Sequence, residues 1–119
     1  MSKSILKDKS FLFAIRIVNL YKTIAETKRE FVMSKQVYRS GTAIGALIRE
    51  AQNAESKLDF IHKLAIAQKE CDETMYWLEL LKATEYITPI EFDSISKDNL
   101  ELLKMLKSSI LTVKNSLKK

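Results

Sequence analysis

From Lys9 to Lys28, apolar residues fall on two adjacent lines of a helical wheel. Phe11, Ala14, Ile15, Val18, Tyr21 and Ala25 form one, and Phe13, Ile17, Leu20 and Ile24 the other. Spacings of three and four predict an α-helix over about 9–28. Only Arg16, Asn19, Thr23 and Glu26 make a clearly polar line, so the helix is apolar over more than half its circumference. A second helix is predicted over about 35–54, with Ser34 as its N-cap and Val37, Ile44, Leu47, Ile48, Ala51 and Ala54 as its apolar arc. The third, about 57–86, opens on Ser56, with Asp59 at capping-box spacing. Its seam is Phe60, Leu64, Ala67, Cys71, Thr74, Met75 and Leu78. The fourth, about 89–116, has the clearest start. Thr88 caps it, Pro89 takes its first position and Glu91 stands three residues after the cap. Asn99, Leu103, Leu106, Ile110, Val113 and Leu117 then continue a coiled-coil-like seam.

The linkers are short, so successive helices should lie antiparallel as neighbours. The expected fold is all-α: one domain over residues 1–119, an up-down-up-down four-helix bundle whose third helix is the longest, roughly 40 Å at 1.5 Å per residue. Gly41 and Gly45 interrupt the second helix. Each costs a helix interior about 1 kcal/mol relative to alanine. A bare strip of this kind admits either a neighbouring helix or a phosphate backbone. The arc it borders is apolar, which favours close helix packing.

The third helix carries a second apolar stripe, Ile66, Trp77 and Leu80, with Glu70 and Glu73 among them. A lone bundle has no need of it, so these five residues are the candidate oligomer interface. Carboxylates there need partners. Arg39 and Arg49 are candidates, and Glu50 lies on the side of Arg39, which gives a candidate ion-pair network of Arg39, Glu50, Glu70 and Glu73. No nucleophile, oxyanion loop or phosphate-cradling glycine motif accompanies it, so no catalytic residue is assigned.

Two Gly and one Pro in 119 residues exclude a turn-rich β fold. The single Cys71 forms no intramolecular disulfide and lies on the core seam, as a small hydrophobe. With no signal peptide in view, this reads as a reducing, cytoplasmic setting. No apolar run approaches the roughly 20 residues of a membrane span. One histidine, His62, is too few for a di-metal bundle site, so neither metal nor other cofactor is expected. The net charge is +5, and residues 102–119 hold five lysines and no acid. In the linear chain the surplus therefore sits in its last turns. Lys97, Lys104, Lys107, Lys114 and Lys118 share one arc of the fourth helix, a candidate nucleic-acid-binding stripe for RNA or DNA. The same lysines suit a helix C-terminus and a soluble surface.

SGTAIGALIREA (Ser40–Ala51) and FIHKLAIAQKECDETMYWLELL (Phe60–Leu81) closely resemble the 23S rRNA intervening-sequence protein family, also called the four-helix-bundle protein family. Ala43 stands where that family usually has Ser, and Leu47 where it usually has Asn. The resemblance implies a bacterial four-helix bundle assembled into a ring, a homopentamer. It also implies kinship with the accessory proteins of diversity-generating retroelements, which bind nucleic acid and a reverse transcriptase. The expected partners are thus a second copy of the chain, RNA or DNA, and a reverse-transcriptase-like or other protein, with no membrane. The rival expectation is a protein-interaction scaffold with no nucleic-acid role.

Overall fold

The computed structural model describes residues 2–118, with side chains from Ile5 onward. Within them are four helices and no strand: α1 (Ser2–Lys28), α2 (Met33–Gln52), α3 (Lys57–Ala83) and α4 (Pro89–Leu117). They pack in chain order as an antiparallel bundle. The α2–α3 seam is the most extensive and the α1–α4 seam the thinnest. The longest element is α4, at 29 residues, rather than α3, at 27.

Of the two apolar lines on α1, Phe13, Ile17 and Ile24 enter the core, extended by Leu6. Leu6 carries that line one turn beyond the expected start, and the helix runs back to Ser2. The other line reaches the interior only at Ala25. Phe11 and Ile15 are exposed, and Ala14, Val18 and Tyr21 are half-buried. On α2, Val37, Ile44, Ile48 and Ala51 are buried, and on α3 Leu64, Ala67, Cys71, Leu78 and Leu81. On α4 the buried line is Ile95, Asn99, Leu102, Leu106 and Ile110. It is rotated slightly from the expected seam, leaving Leu103 and Val113 half-buried and Leu117 exposed.

The glycines are filled from within the chain. A Cβ at Gly41 would lie 2.7 Å from Ile17 Cγ1 and 2.9 Å from Ile17 Cγ2, whereas one at Gly45 would lie 3.4 Å from the Ser10 carbonyl oxygen. The bare strip is where α1 crosses α2, and no phosphate backbone can enter it.

Three helix ends differ from the sequence expectation, each for a local reason. Ser34 does not cap α2. Glu30 does: its carboxylate accepts the backbone N–H groups of Val32 at 3.0 Å, Met33 at 2.9 Å and Ser34 at 2.8 Å. Those N–H groups outweigh the burial that opposes its charge, so the Glu30 carboxyl titrates below its usual value. Ser56 accepts from Asp59 N at 3.0 Å, but the shorter Asp reaches the N–H of Glu55, at 3.3 Å, so no reciprocal box forms. Finally, α3 stops at Ala83 because Glu85 turns left-handed (φ 67°) and Tyr86 N donates back to Leu81 O at 2.9 Å. Thr88 and Glu91 do form the full box, at 3.1 and 2.8 Å.

Candidate nucleic-acid surfaces

Alternation of buried and outward positions on α4 sets the direction of its charges. Asp98 and Glu101 turn toward α1, where Arg16 holds Asp98 at 2.7 Å and Lys9 holds Glu101 at 3.2 Å. Lys97, Lys104, Lys107, Lys114 and Lys118 are all exposed, and among the described residues none has a carboxylate partner. The stripe is not purely cationic. Leu100 and Leu111 lie on the same arc, 46% and 60% exposed.

The expected ion-pair cluster divides in two. Arg39 on α2 bridges Glu70, at 3.6 Å, and Glu73 on α3, and Trp77 Nε1 donates to Glu73 at 3.2 Å. The Arg39 hydrogen bond, backed by that of Trp77, holds the Glu73 carboxyl below its usual value and outweighs the effect of its burial. Arg39 is raised in turn, through Glu73 first. Glu50 takes no part in this cluster. It pairs with Lys63 at 3.0 Å, two turns further along the seam. Glu70 Oε1 is buried with no hydrogen-bond partner. Ile66, Trp77 and Leu80 are half-buried, Trp77 against the core. Arg49, the other candidate partner, instead stacks on Phe11, its guanidinium carbon 5.3 Å from the ring centroid.

That contact belongs to a surface the linear reading passed over. On the outer α1–α2 seam Tyr21 and Tyr38 stack, with ring centroids 4.9 Å apart and planes at 27°. At one end lies the Phe11–Arg49 pair and at the other Arg29 over Phe31, at 5.3 Å. The signal was present in the uncommitted apolar line of α1, but the pairing crosses a loop. Charge follows the same division. Residues 1–52 hold ten basic and four acidic side chains, and residues 53–119 ten basic and eleven acidic. Grouped by helix pair, the α1–α2 half carries a net +6 and the α3–α4 half a net −1, the acids of the latter lying before residue 102, so the last turns of α4 stay wholly cationic.

Other chemistry finds little footing. Cys71 is fully buried, and burial first, with Asp72 and Glu70 beside it, pushes its thiol up to about 12. Its backbone carbonyl accepts from the buried Asn99 Nδ2 at 2.9 Å. His62 is exposed, and among the described residues no three His, Cys, Asp or Glu side chains are placed to hold a metal ion. A cleft of about 440 Å³ follows the thin α1–α4 seam. Both charged groups in its lining are already engaged, Arg16 with Asp98 and Ser94, and Glu91 with the Thr88 cap. Among the described residues, no helix is long and apolar enough to cross a membrane.

Residues 2–108 match the model of the 23S rRNA-intervening sequence protein family. The chain belongs to that family. A family relative of known structure bears out the fold: a protein with unknown function from the S23 ribosomal protein family of Bacteroides thetaiotaomicron VPI-5482, solved by crystallography at 1.70 Å. It is 58% identical, superposes with a TM-score of 0.91, and the match covers 92% of this chain and 98% of that one. No curated protein matches. Membership in the 23S rRNA-intervening sequence family carries no link here to the retroelement accessory proteins.

Proposed function

We propose that this bundle is a non-enzymatic, self-associating protein that binds RNA or DNA through exposed cations, chiefly the lysine stripe of α4. The observation that carries the reading is that Lys97, Lys104, Lys107, Lys114 and Lys118 are exposed while the neighbouring carboxylates Asp98 and Glu101 are taken up by α1. Cations without an internal partner are free to replace the counterions of a phosphate backbone. Self-association would multiply the stripe by the number of copies. Support for it comes from apolar surface the bundle leaves uncovered, Leu12 and Ile15 on α1 and, separately, the half-buried Ile66, Trp77 and Leu80 on α3.

A protein-interaction scaffold is the second reading, favoured by Leu100 and Leu111, which stand exposed between the lysines. Retention on RNA and DNA across a salt series separates the two. Binding that weakens steeply with salt is expected. Replacing Lys104, Lys107, Lys114 and Lys118 by Ala should flatten the slope of log K against log salt by up to about 0.9 per lost phosphate contact. Absence of binding at low salt refutes the proposal, and an unchanged slope refutes the stripe. A solution mass measurement tests the assembly.

A further inference from the structure

The α1–α2 face is the part of the molecule where aromatic rings and unpaired cations alternate. Three aromatic stations follow the seam: Phe11 under Arg49, Tyr21 stacked on Tyr38, and Phe31 under Arg29. From Phe11 to the end of α1 the seam runs roughly 25 Å at 1.5 Å per residue. Tyr38 remains 41% exposed although Tyr21 stacks on one side of its ring. Between the stations stand small or short residues, Ala14 and Val18 on α1 and Thr42 and Gly45 on α2, all half-buried.

Lys22, Lys28, Arg29, Lys35 and Arg49 flank this seam, all exposed, and among the described residues none is in an ion pair. Residues 1–52 contain four carboxylates. Glu30 closes the N-terminus of α2 and Glu50 holds Lys63. Asp8 and Glu26 share one line of the α1 wheel, about 140° from Tyr21 and about 40° from Lys22. Five exposed cations against these two carboxylates leave the face net positive, and its complement is a polyanion.

Two polyanions, duplex and single strand, differ in what they offer an aromatic ring. A duplex stacks its bases internally and offers phosphates, sugars and base edges but no base face to a ring. A single strand presents base faces, and each base–aromatic stack contributes affinity in a sequence-tolerant way. Unpaired cations alone would serve either. Open rings spaced among them serve only the single strand.

We propose that the α1–α2 face is a stacking groove for single-stranded nucleic acid, with Tyr38 and Tyr21 at its centre and Lys22, Lys35 and Arg49 on the phosphates. The proposal rests on the nucleic-acid reading above but places single-strand recognition on a different face from the α4 stripe.

The test is fluorescence anisotropy with a labelled oligouridylate and an RNA duplex, each of about ten nucleotides, within the 4–16 range of typical single-strand sites. Y21A/Y38A should weaken oligouridylate binding about tenfold or more and leave the duplex unchanged. Y21F/Y38F, which keeps both rings, should bind as wild type does. K22E/K35E changes only exposed side chains and should weaken single-strand binding even if the tyrosine variant folds poorly. Equal single-strand affinity in wild type, Y21A/Y38A and K22E/K35E overturns the proposal. If the α4 lysine variant then loses binding, the general reading stands without this groove. If wild type binds neither probe, both fall. A smaller solution mass for Y21A/Y38A with single-strand affinity intact gives the face to a second copy of the chain and overturns the proposal as well.

Discussion

Gly41→Ala and Gly45→Ala are the same chemical change four residues apart on one helix, and they should have opposite effects on stability. At 45 the new methyl meets Ser10 atoms no closer than 3.4 Å, an ordinary contact. The helix then gains the alanine propensity, and stability should rise by about 0.5–1 kcal/mol. At 41 the methyl falls 2.7, 2.9 and 3.0 Å from Cγ1, Cγ2 and Cδ1 of Ile17. Ile17 is fully buried, and β-branching leaves it one favoured rotamer in a helix, so it cannot swing aside. Overpacking a tight core costs about 1–3 kcal/mol. Three short contacts on an immobile side chain put this site in the upper half of that range. After the propensity gain, a net loss of about 1–2 kcal/mol remains. The two variants should thus differ by roughly 2–3 kcal/mol, or about 10 °C in Tm at roughly 4 °C per kcal/mol. Urea unfolding at one fixed protomer concentration measures it, with the slope m required to stay constant. A cycle with Ile17→Ala isolates the cause. That substitution removes all three clashing atoms, so in its background Gly41→Ala should become stabilising. Equal effects at 41 and 45, or a loss at 41 that persists without the Ile17 side chain, would refute the packing argument.

Glu30→Gln should destabilise the bundle by about 1 kcal/mol at neutral pH, in the range of a lost helix cap. The folded Glu30 carboxyl lies below 4.5, so its contribution is present above that value and fades as pH falls through the folded pKa. The wild-type advantage in urea titrations should therefore shrink below about pH 4.5, and a difference that stays constant there contradicts the cap assignment. Ala43→Ser should stabilise. Thr74 bonding Ser40 at 2.9 Å and Lys63 bonding Glu50 at 3.0 Å set an antiparallel register that puts residue 43 level with Glu70. A hydroxyl there offers a hydrogen-bond donor to the buried Glu70 Oε1, which has only the Arg39 guanidinium at 3.6 Å, for a gain of about 0.5–1.5 kcal/mol. A lower Tm for Ala43→Ser would count against that register.

The middle helices were legible because their signals are local and repeated. Val37, Ile44 and Ile48, and Leu64, Ala67, Cys71 and Leu78, are buried where their periodicity puts them. Thr88, Pro89 and Glu91 specify a helix start without outside help. The α2 start was misread because Ser34 has the right identity for a cap, but Glu30 has the reach to collect three N–H groups at once. On α4, Leu102 and Leu103 are adjacent and equally apolar, so only the packing partner decides which faces inward. The Arg39 cluster was half legible. Wheel position brought Arg39 to Glu70 and Glu73, but it could not show that Glu50 sits beside Lys63, because that depends on the register of α2 against α3. The tyrosine stack was not legible, since Tyr21 and Tyr38 meet only after α1 and α2 fold back on each other.

The same glycine that answers to packing also bears on the proposed groove. Gly41 meets Ile17, and one turn away Tyr21 meets Tyr38 across the same pair of helices. The centroid separation of 4.9 Å lies near the short end of the range of about 4.5–7 Å in which aromatic pairs attract. It depends on how closely α1 approaches α2. A methyl wedged between the helices at 41 should part the rings before it unfolds the bundle, because the stack stands at the outer edge of the seam. Gly41→Ala, at a temperature where it remains folded, should then lose single-strand affinity while duplex affinity through the α4 lysines persists. Gly45→Ala, which displaces nothing, should lose neither. Stability and recognition would in that case share a single cause, the width of the α1–α2 seam.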